Sequence, residues 1–411
     1  MTSQSKLSSF EIIVCDAGWR DWFYLIFKSS CGQIGISEFT ESHGPKIGLI
    51  ASIHEMSEII VGQNCHDVEQ IIKSLQRRNK QSLGGTTWKT ISAIENALWD
   101  LRSKVESTPI RNLMGISKSN LDITFPVYWS HCGTTRVRAA HLVNENPITK
   151  LADLWALGNE IENDGFKAFK TNILEFSNSP QVLMPGFSYD CETPKLVNAS
   201  GAVTVKNLLE AITHHGELQA QPIIDWNYNV EPENYKDLLE IVSKYNSRWV
   251  EIDFNSSVDL DFLPNQSDVT ICTGENLLGI DAYEPYLISN KIGVISIDLL
   301  WNGLSESLKI ANRAIELGKK VTIHNYYSHF ATSMALTFLE CLPPTELLEY
   351  DKDDVPWRDA IVTQVITPNK GEVVKPPGIG WGNNLKLEEI AGISTPRTEK
   401  YRSLIHSLEL L

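Results

Sequence analysis

The chain has 411 residues, 42% of them hydrophobic and 21% charged, and its formal net charge is −15. That length supports a large core and two domains. The acidic balance excludes a nucleic-acid partner, which needs clustered Lys and Arg, and also docking on an anionic membrane. Seven cysteines, scattered and never in CxxC spacing, fit reduced thiols better than a disulfide or zinc framework. No apolar run in MTSQSKLSSFEIIV reads as a signal peptide, and no uninterrupted apolar stretch is long enough to span a membrane. A cytoplasmic location is expected.

The first part of the chain, residues 1–122, reads as α+β. Short strands are predicted over Phe10 to Val14, Trp22 to Phe27 and Gln33 to Glu38, with turn residues between them. A helix follows from about Thr87 to Lys104, where Ile91, Ile94, Leu98 and Leu101 recur at three- and four-residue steps. From about Ile123 strands and helices alternate. Strands are placed near 125–130, 166–171, 222–226, 248–252, 269–274, 294–299, 320–324 and 346–350, with amphipathic helices such as Asn234 to Lys244 and Ser305 to Leu317 between them. Eight strands alternating with helices argue for a closed parallel barrel. Residues 173–203, rich in Ser, Pro, Asn and Gly, read as a long inserted loop, of a kind that tends to be functional. The tail from about Thr367 is expected to cross back to the N-terminal domain.

Several predicted strands end in a residue able to do chemistry. Asp225, Glu251, Glu275, Asp298 and His324 follow one another at 26, 24, 23 and 26 residues, each interval the length of one βα unit. Parallel strands deliver their C-terminal ends to one face of a barrel, where active sites of this architecture lie. Three carboxylates gathered there would resist ionising unless a cation sat between them. An all-oxygen donor set suits a hard divalent ion, with Mg²⁺ the leading candidate. Asp298 and His324, on adjacent strands, would form a pair in which the carboxylate fixes the imidazole tautomer and makes the other nitrogen a general base. Glu349, in LLEYD, ends the eighth strand. Asn227, two residues past Asp225, is read as a donor to the metal-binding carboxylates. His131 and Cys132, at the end of the first barrel strand, are placed within reach of substrate. His329 is read as packing against the barrel rim.

This succession resembles the enolase superfamily, most closely its mandelate racemase/muconate lactonizing enzyme-like, sugar-acid dehydratase branch. The resemblance also rests on SAIENALWDLRSK at 92–104, GFKAFK at 165–170 and GIGWG at 378–382. It implies a modified TIM barrel, (β/α)7β, over 123–366, and an α+β capping domain made by 1–122 with 367–411. It further implies one Mg²⁺ per subunit held by Asp225, Glu251 and Glu275, and removal of the proton α to a substrate carboxylate through a metal-stabilised enediolate. His324 would be the acid/base and Asp298 its orienter. Lys170 would lie beside the substrate carboxylate, and Glu349 would be a protonated donor to it. Trp19, Arg20 and Trp22 would lie near a turn over the barrel mouth, with Arg20 and Trp22 contacting substrate.

One position departs from the family pattern. Where a second lysine would complete a KxK motif the chain reads Lys170-Thr171-Asn172. Asparagine cannot act as a base, which disfavours two-base racemisation and leaves one-base elimination of water. Asn172, like Asn227, is instead expected to contact substrate. Tyr189 or Asp190 in the inserted stretch offers a polar group at most. The favoured expectation is a Mg²⁺-dependent sugar-acid dehydratase acting on a small carboxylate, assembled as a homo-oligomer. A racemase or epimerase of α-substituted acids is the first alternative, and a catalytically weak metal- and acid-binding protein the second. A metal-dependent hydrolase is disfavoured by the lack of an HxH pair at a strand end.

Overall fold

In the computed structural model, which describes residues 5–41, 44–116, 124–176, 179–183 and 199–410, the chain opens with three antiparallel strands. These are β1 (Leu7–Ala17), β2 (Arg20–Ser29) and β3 (Ile34–Phe39), paired in that order. The β1–β2 turn is two residues long, because Ala17 pairs with Arg20. Gly18 takes a φ of +76° there, which only glycine adopts freely, as the first central position of a tight hairpin requires. The turn packs on the barrel: a Cβ on Gly18 would come within 3.0 Å of Val355. This contact carries Trp19 and Arg20 to the barrel mouth.

The Gly85–Glu106 helix is the hinge-pin of the architecture. Buried Asp100 accepts the backbone N–H of Ile36 (2.8 Å) and of Trp381 (3.0 Å), tying together sheet, helix and tail. Nearer its N-terminus the same side of the helix docks beside the sixth barrel strand, where Ser92 donates to the Trp301 carbonyl (2.9 Å) and Asn96 to that of Leu299 (3.1 Å). Gly303 permits that approach, since a Cβ there would lie 2.4 Å from the Glu95 carboxylate. The tail returns to the same sheet. Trp381 donates through its indole to the Ile36 carbonyl, and Arg397 pairs with Asp16 and Asp21.

Eight parallel strands close the barrel: β4 (Thr124–Ser130), β5 (Ala168–Glu175), β7 (Gln221–Asp225), β8 (Trp249–Glu251), β9 (Ile271–Thr273), β10 (Val294–Asp298), β11 (Lys320–His324) and β12 (Leu348–Asp351). Pairing of Trp129 with Phe169 completes the closure. Every predicted barrel strand overlaps an observed one. Two short strands flank the barrel: β6 (Gln181–Leu183), antiparallel to β5, and β13 (Glu372–Val374), antiparallel to β4.

The stretch 173–203 is not the uninterrupted loop expected from its composition. Buried Ile173 and Leu174 continue β5, which turns back through β6, and a helix begins at Ala199. Apolar burial overrode the polar residues that follow. Tyr189 and Asp190 lie outside the described residues. Among the described residues no helix is long and apolar enough to cross a membrane.

A separate buried cluster of Tyr128, Ala168, Ile223, Trp249, Cys272 and Val294, with Leu347, plugs the barrel interior. Strand side chains alternate between faces, so the residue two positions further along points the same way. Ser130, Lys170, Asp225 and Glu251 therefore stand one pleat above an apolar floor.

Candidate active site at the barrel mouth

The strand register sets the site. Asn172, Asp225 and Glu251 are paired neighbours across β5, β7 and β8, and Asp298 is paired with His324 across β10 and β11. Asn172, Asp225 and His324, together with Arg20, His131, Lys170 and Glu275, edge a cavity of about 200 Å³ at the C-terminal ends of the strands, and Glu251 and Asp298 lie behind them.

Its floor is an ionic lattice. The Lys170 ammonium lies 3.0 Å from Glu251, 2.9 Å from Glu349 and 3.6 Å from Asp225. Although burial opposes its charge, Glu251 and Glu349 hold its pKa well above the usual lysine value. Burial pushes Glu251 up to about 8, with Glu275 and Asp225 adding repulsion that Lys170 only partly offsets. Glu275 rises to about 8, again from burial, despite His324 at 3.5 Å. Asp253 reaches about 7 through burial and the nearby Asp225. These acids are short of positive charge.

The histidine pair is well formed. His324 Nδ1 lies 2.7 Å from Asp298 Oδ2. Asp298 also accepts the Trp301 N–H (2.8 Å) and the Tyr327 hydroxyl. Burial disfavours the imidazolium, but Glu275 and Asp298 outweigh it and raise His324 to about 10.

Glu349 departs from the expected protonated donor. It accepts from Ser130 (2.5 Å), from the Asn325 N–H (2.8 Å) and from Lys170. Burial alone would raise its pKa, yet Lys170, His324 and His131 hold it well below the usual carboxylate range. Trp22 departs too. It is 1% exposed and lies beneath the Arg20 guanidinium, whose centre is 5.4 Å from its ring. Trp19, on the hairpin turn, edges the cavity instead. Arg20 pairs with Asp354 (2.8 Å), while its Nε and Nη1 are buried without partners. Asn172 is clamped, accepting from Thr134 (3.1 Å) and donating to Asn227 Oδ1 (3.0 Å). The Asn227 N–H in turn donates to Asp225 (2.9 Å). His131 Nδ1 meets Asp351 at 2.9 Å. Cys132 is fully buried and does not edge the cavity. His329 bonds Asp359 (2.8 Å) away from the cavity, and burial lowers it to about 4.

Asp351, Asp253 and Tyr327 are among the participants that went unread in the sequence. Asp351 lies two residues past Glu349 on β12, so strand alternation alone would have found it, whereas Asp253 lies beyond the end of β8. Tyr327 has no such signal, because its approach to Asp298 depends on the loop after β11.

Among the described residues no three His, Cys, Asp or Glu side chains stand close enough, as placed, to hold a metal ion. The Lys170 ammonium stands against two of the expected ligands, Asp225 and Glu251. The donor set nonetheless fits a hard divalent cation. Asp225, Glu251 and Glu275 offer only oxygen, and the upward shift of the two glutamates marks a deficit of positive charge that such an ion would fill.

Two family models match the chain: Enolase C-terminal domain-like over residues 155–390, and the Mandelate racemase / muconate lactonizing enzyme N-terminal domain over residues 23–115. The chain is 24% identical to a D-xylonate dehydratase of Haloferax volcanii over 374 residues, covering 90% of this chain and 84% of that one. It is 22% identical to a D-galactonate dehydratase of Ralstonia nicotianae over 305 residues, 71% of this chain and 68% of that one. Among solved structures, a Burkholderia xenovorans strain LB400 protein assigned as an L-alanine-DL-glutamate epimerase, with magnesium and fumarate bound, superposes with a TM-score of 0.89 at 30% identity. That match covers 94% of this chain and 96% of the other.

Proposed function

The chain belongs to the enolase superfamily, within its mandelate racemase and muconate lactonizing enzyme group, and on that premise we propose that it is a hydro-lyase that dehydrates a sugar acid. The observation that carries this reading is the buried Asp298–His324 pair beside an acid-rich floor. Asp298 fixes the imidazole through Nδ1 and leaves Nε2 to take the proton α to the substrate carboxylate. Asp298, hydrogen-bonded to Nδ1, stabilises the imidazolium that forms when His324 takes that proton. Asp225, Glu251 and Glu275 would hold Mg²⁺, which when bound supplies the positive charge that stabilises an enediolate. Magnesium is a general property of the superfamily, and the Burkholderia protein carries it.

Lys170 brings a permanent cation to the floor, where a substrate carboxylate needs balancing charge. Ionised Glu349 anchors that lysine. Arg20, with two unpartnered nitrogens, is suited to the far end of the substrate. The Asn172 amide has no proton-accepting capacity, so inversion at the α-carbon lacks a base at the position where the family pattern supplies one. Elimination of a β-hydroxyl needs none there. The two dehydratase relatives support a sugar acid as substrate. A homo-oligomer working in the cytoplasm completes the proposal.

A second reading, epimerisation of an α-substituted acid, is favoured by the 30% identity to the protein assigned as an epimerase. Incubating purified protein and Mg²⁺ with a panel of sugar acids separates the two. Formation of a 2-keto acid supports the lyase. Inversion at C2 without a keto product would replace it with the epimerase, and binding without turnover would point to a catalytically weak relative.

A further inference from the structure

Elimination needs an acid for the departing hydroxyl as well as a base for the α-proton, and the β5 strand end offers only Asn172 where a second titratable group would stand. The adjacent strand end supplies one. His131 follows β4 with a φ of +46°, a left-handed conformation that strains a non-glycine residue and that concentrates at functional sites. The segment after it is laced to the Lys170–Asn172 strand end. The Cys132 N–H donates to the Lys170 carbonyl (2.8 Å), and Thr134 donates to Asn172 (3.1 Å).

The construction repeats that of His324. A carboxylate from the neighbouring strand, Asp351 on β12, is 3% exposed and lies 2.9 Å from His131 Nδ1. Ser130 also approaches Nδ1, at 3.4 Å, so Nε2 is the ring nitrogen left for a ligand. Asp351 is flanked by Arg20 at 3.9 Å, so the pair has its own charge balance apart from Asp225, Glu251 and Glu275. Both imidazoles flank Tyr326, with ring centroids 5.8 Å (His131) and 5.0 Å (His324) from its ring. They border one cavity as two independent Asp–His pairs.

We propose that His131, oriented by Asp351, is the acid that protonates the departing β-hydroxyl, while His324 removes the α-proton. The inference rests on the lyase reading. His324 takes the proton from C2, and the C–H electron pair enters the enediolate. That pair then forms the C2–C3 double bond as the C3–O bond breaks, and the oxygen leaves as water with the proton from His131 Nε2. The resulting enol gains a proton at C3 and loses its hydroxyl proton to give the 2-keto acid. Solvent returns a proton to His131 and accepts the one held by His324.

The test uses full-length protein with Mg²⁺ in D₂O and a sugar acid that the wild type converts. His131→Asn should lower 2-keto product formation by about 10²-fold or more, within the usual range for general acid catalysis. Exchange of the α-proton with solvent should continue, whereas His324→Asn should lose both. An analogue bearing fluoride in place of the β-hydroxyl needs no protonated leaving group, so His131→Asn should convert it nearly as fast as the wild type. Asp351→Asn, which preserves volume, should show the same pattern more weakly and guards against misfolding of the first variant. Product formation within threefold of wild type would overturn the assignment. So would equal loss of exchange, dehydration and fluoride elimination in both variants, which marks a structural pair. A wild type that yields no 2-keto acid from any substrate sinks the lyase reading itself, and His131's role with it.

Discussion

Two halves of the barrel mouth use the same residue types to opposite effect. On β7 to β9 the acids Asp225, Glu251, Asp253 and Glu275 crowd one another, and burial with mutual repulsion drives Glu251 and Glu275 to about 8 and Asp253 to about 7. On β12 the two acids share nearby cations and donors. Burial acts on Glu349 and Asp351 too, but Lys170 and His131 beside Glu349, and His131 and Arg20 beside Asp351, pull both below the ordinary range. The difference teaches that a strand-end carboxylate has no fixed character. Its neighbours decide whether it waits for a cation or already has one.

Variants on either side can break this comparison. The largest effect is expected from His324→Asn, which should reduce product formation by about 10² to 10⁴-fold while Mg²⁺ still raises the melting temperature. A lost Mg²⁺ response would show that the two halves are not separable. Glu251→Gln should do the reverse, weakening Mg²⁺ at least tenfold, about 1.4 kcal/mol, by calorimetric titration. Unchanged affinity would remove Glu251 from the ligand set.

Glu38 sharpens the contrast because it is buried with hydrogen-bond donors and only a minor pull from Arg20. It accepts from Ser328 and from the Ala331 N–H (3.2 Å), and burial still lifts it to about 7. Its folded pKa exceeds the unfolded value, so the folded protein holds an extra proton across that window. The stability this contributes is full below about 4.5 and is lost as pH rises through about 7. Denaturant unfolding of wild type should therefore weaken relative to Glu38→Gln by up to about 1.4 kcal/mol per pH unit between those limits. Parallel curves would show that the donors alone keep Glu38 ionised. The smallest effect is expected from Tyr327→Phe. Losing one hydrogen bond to Asp298, about 1 kcal/mol, should slow kcat roughly fivefold with Mg²⁺ affinity unchanged. A wild-type rate would make that hydroxyl dispensable.

Much of the barrel was legible because its signal is periodic. Apolar residues such as Ile223 and Trp249 sit two positions before Asp225 and Glu251, so each strand announces both its buried face and its outlet. The inserted stretch was misread where composition and burial disagreed. Ile173 and Leu174 outweighed the Ser and Pro that follow them, and β5 ran on. Glu349 was misjudged for a different reason. Its position was plain, but its protonation depends on Lys170, 179 residues earlier in the chain, reaching it at 2.9 Å.

The sequence by itself determined which residues stand at the mouth, since a two-residue strand alternation and a βα repeat are local properties of the chain. It carried Asp225, Glu251, Glu275, Asp298 and His324 to one rim, and it placed Asn172 where a base was expected. Only the tertiary structure decided the pairings. Closure of β4 on β5 and of β12 on β4 brings His131 to Asp351 and Lys170 to Glu349, and the Gly18 turn brings Arg20 over them. Charge and proton affinity follow from distances between strands remote in sequence, which no local pattern encodes.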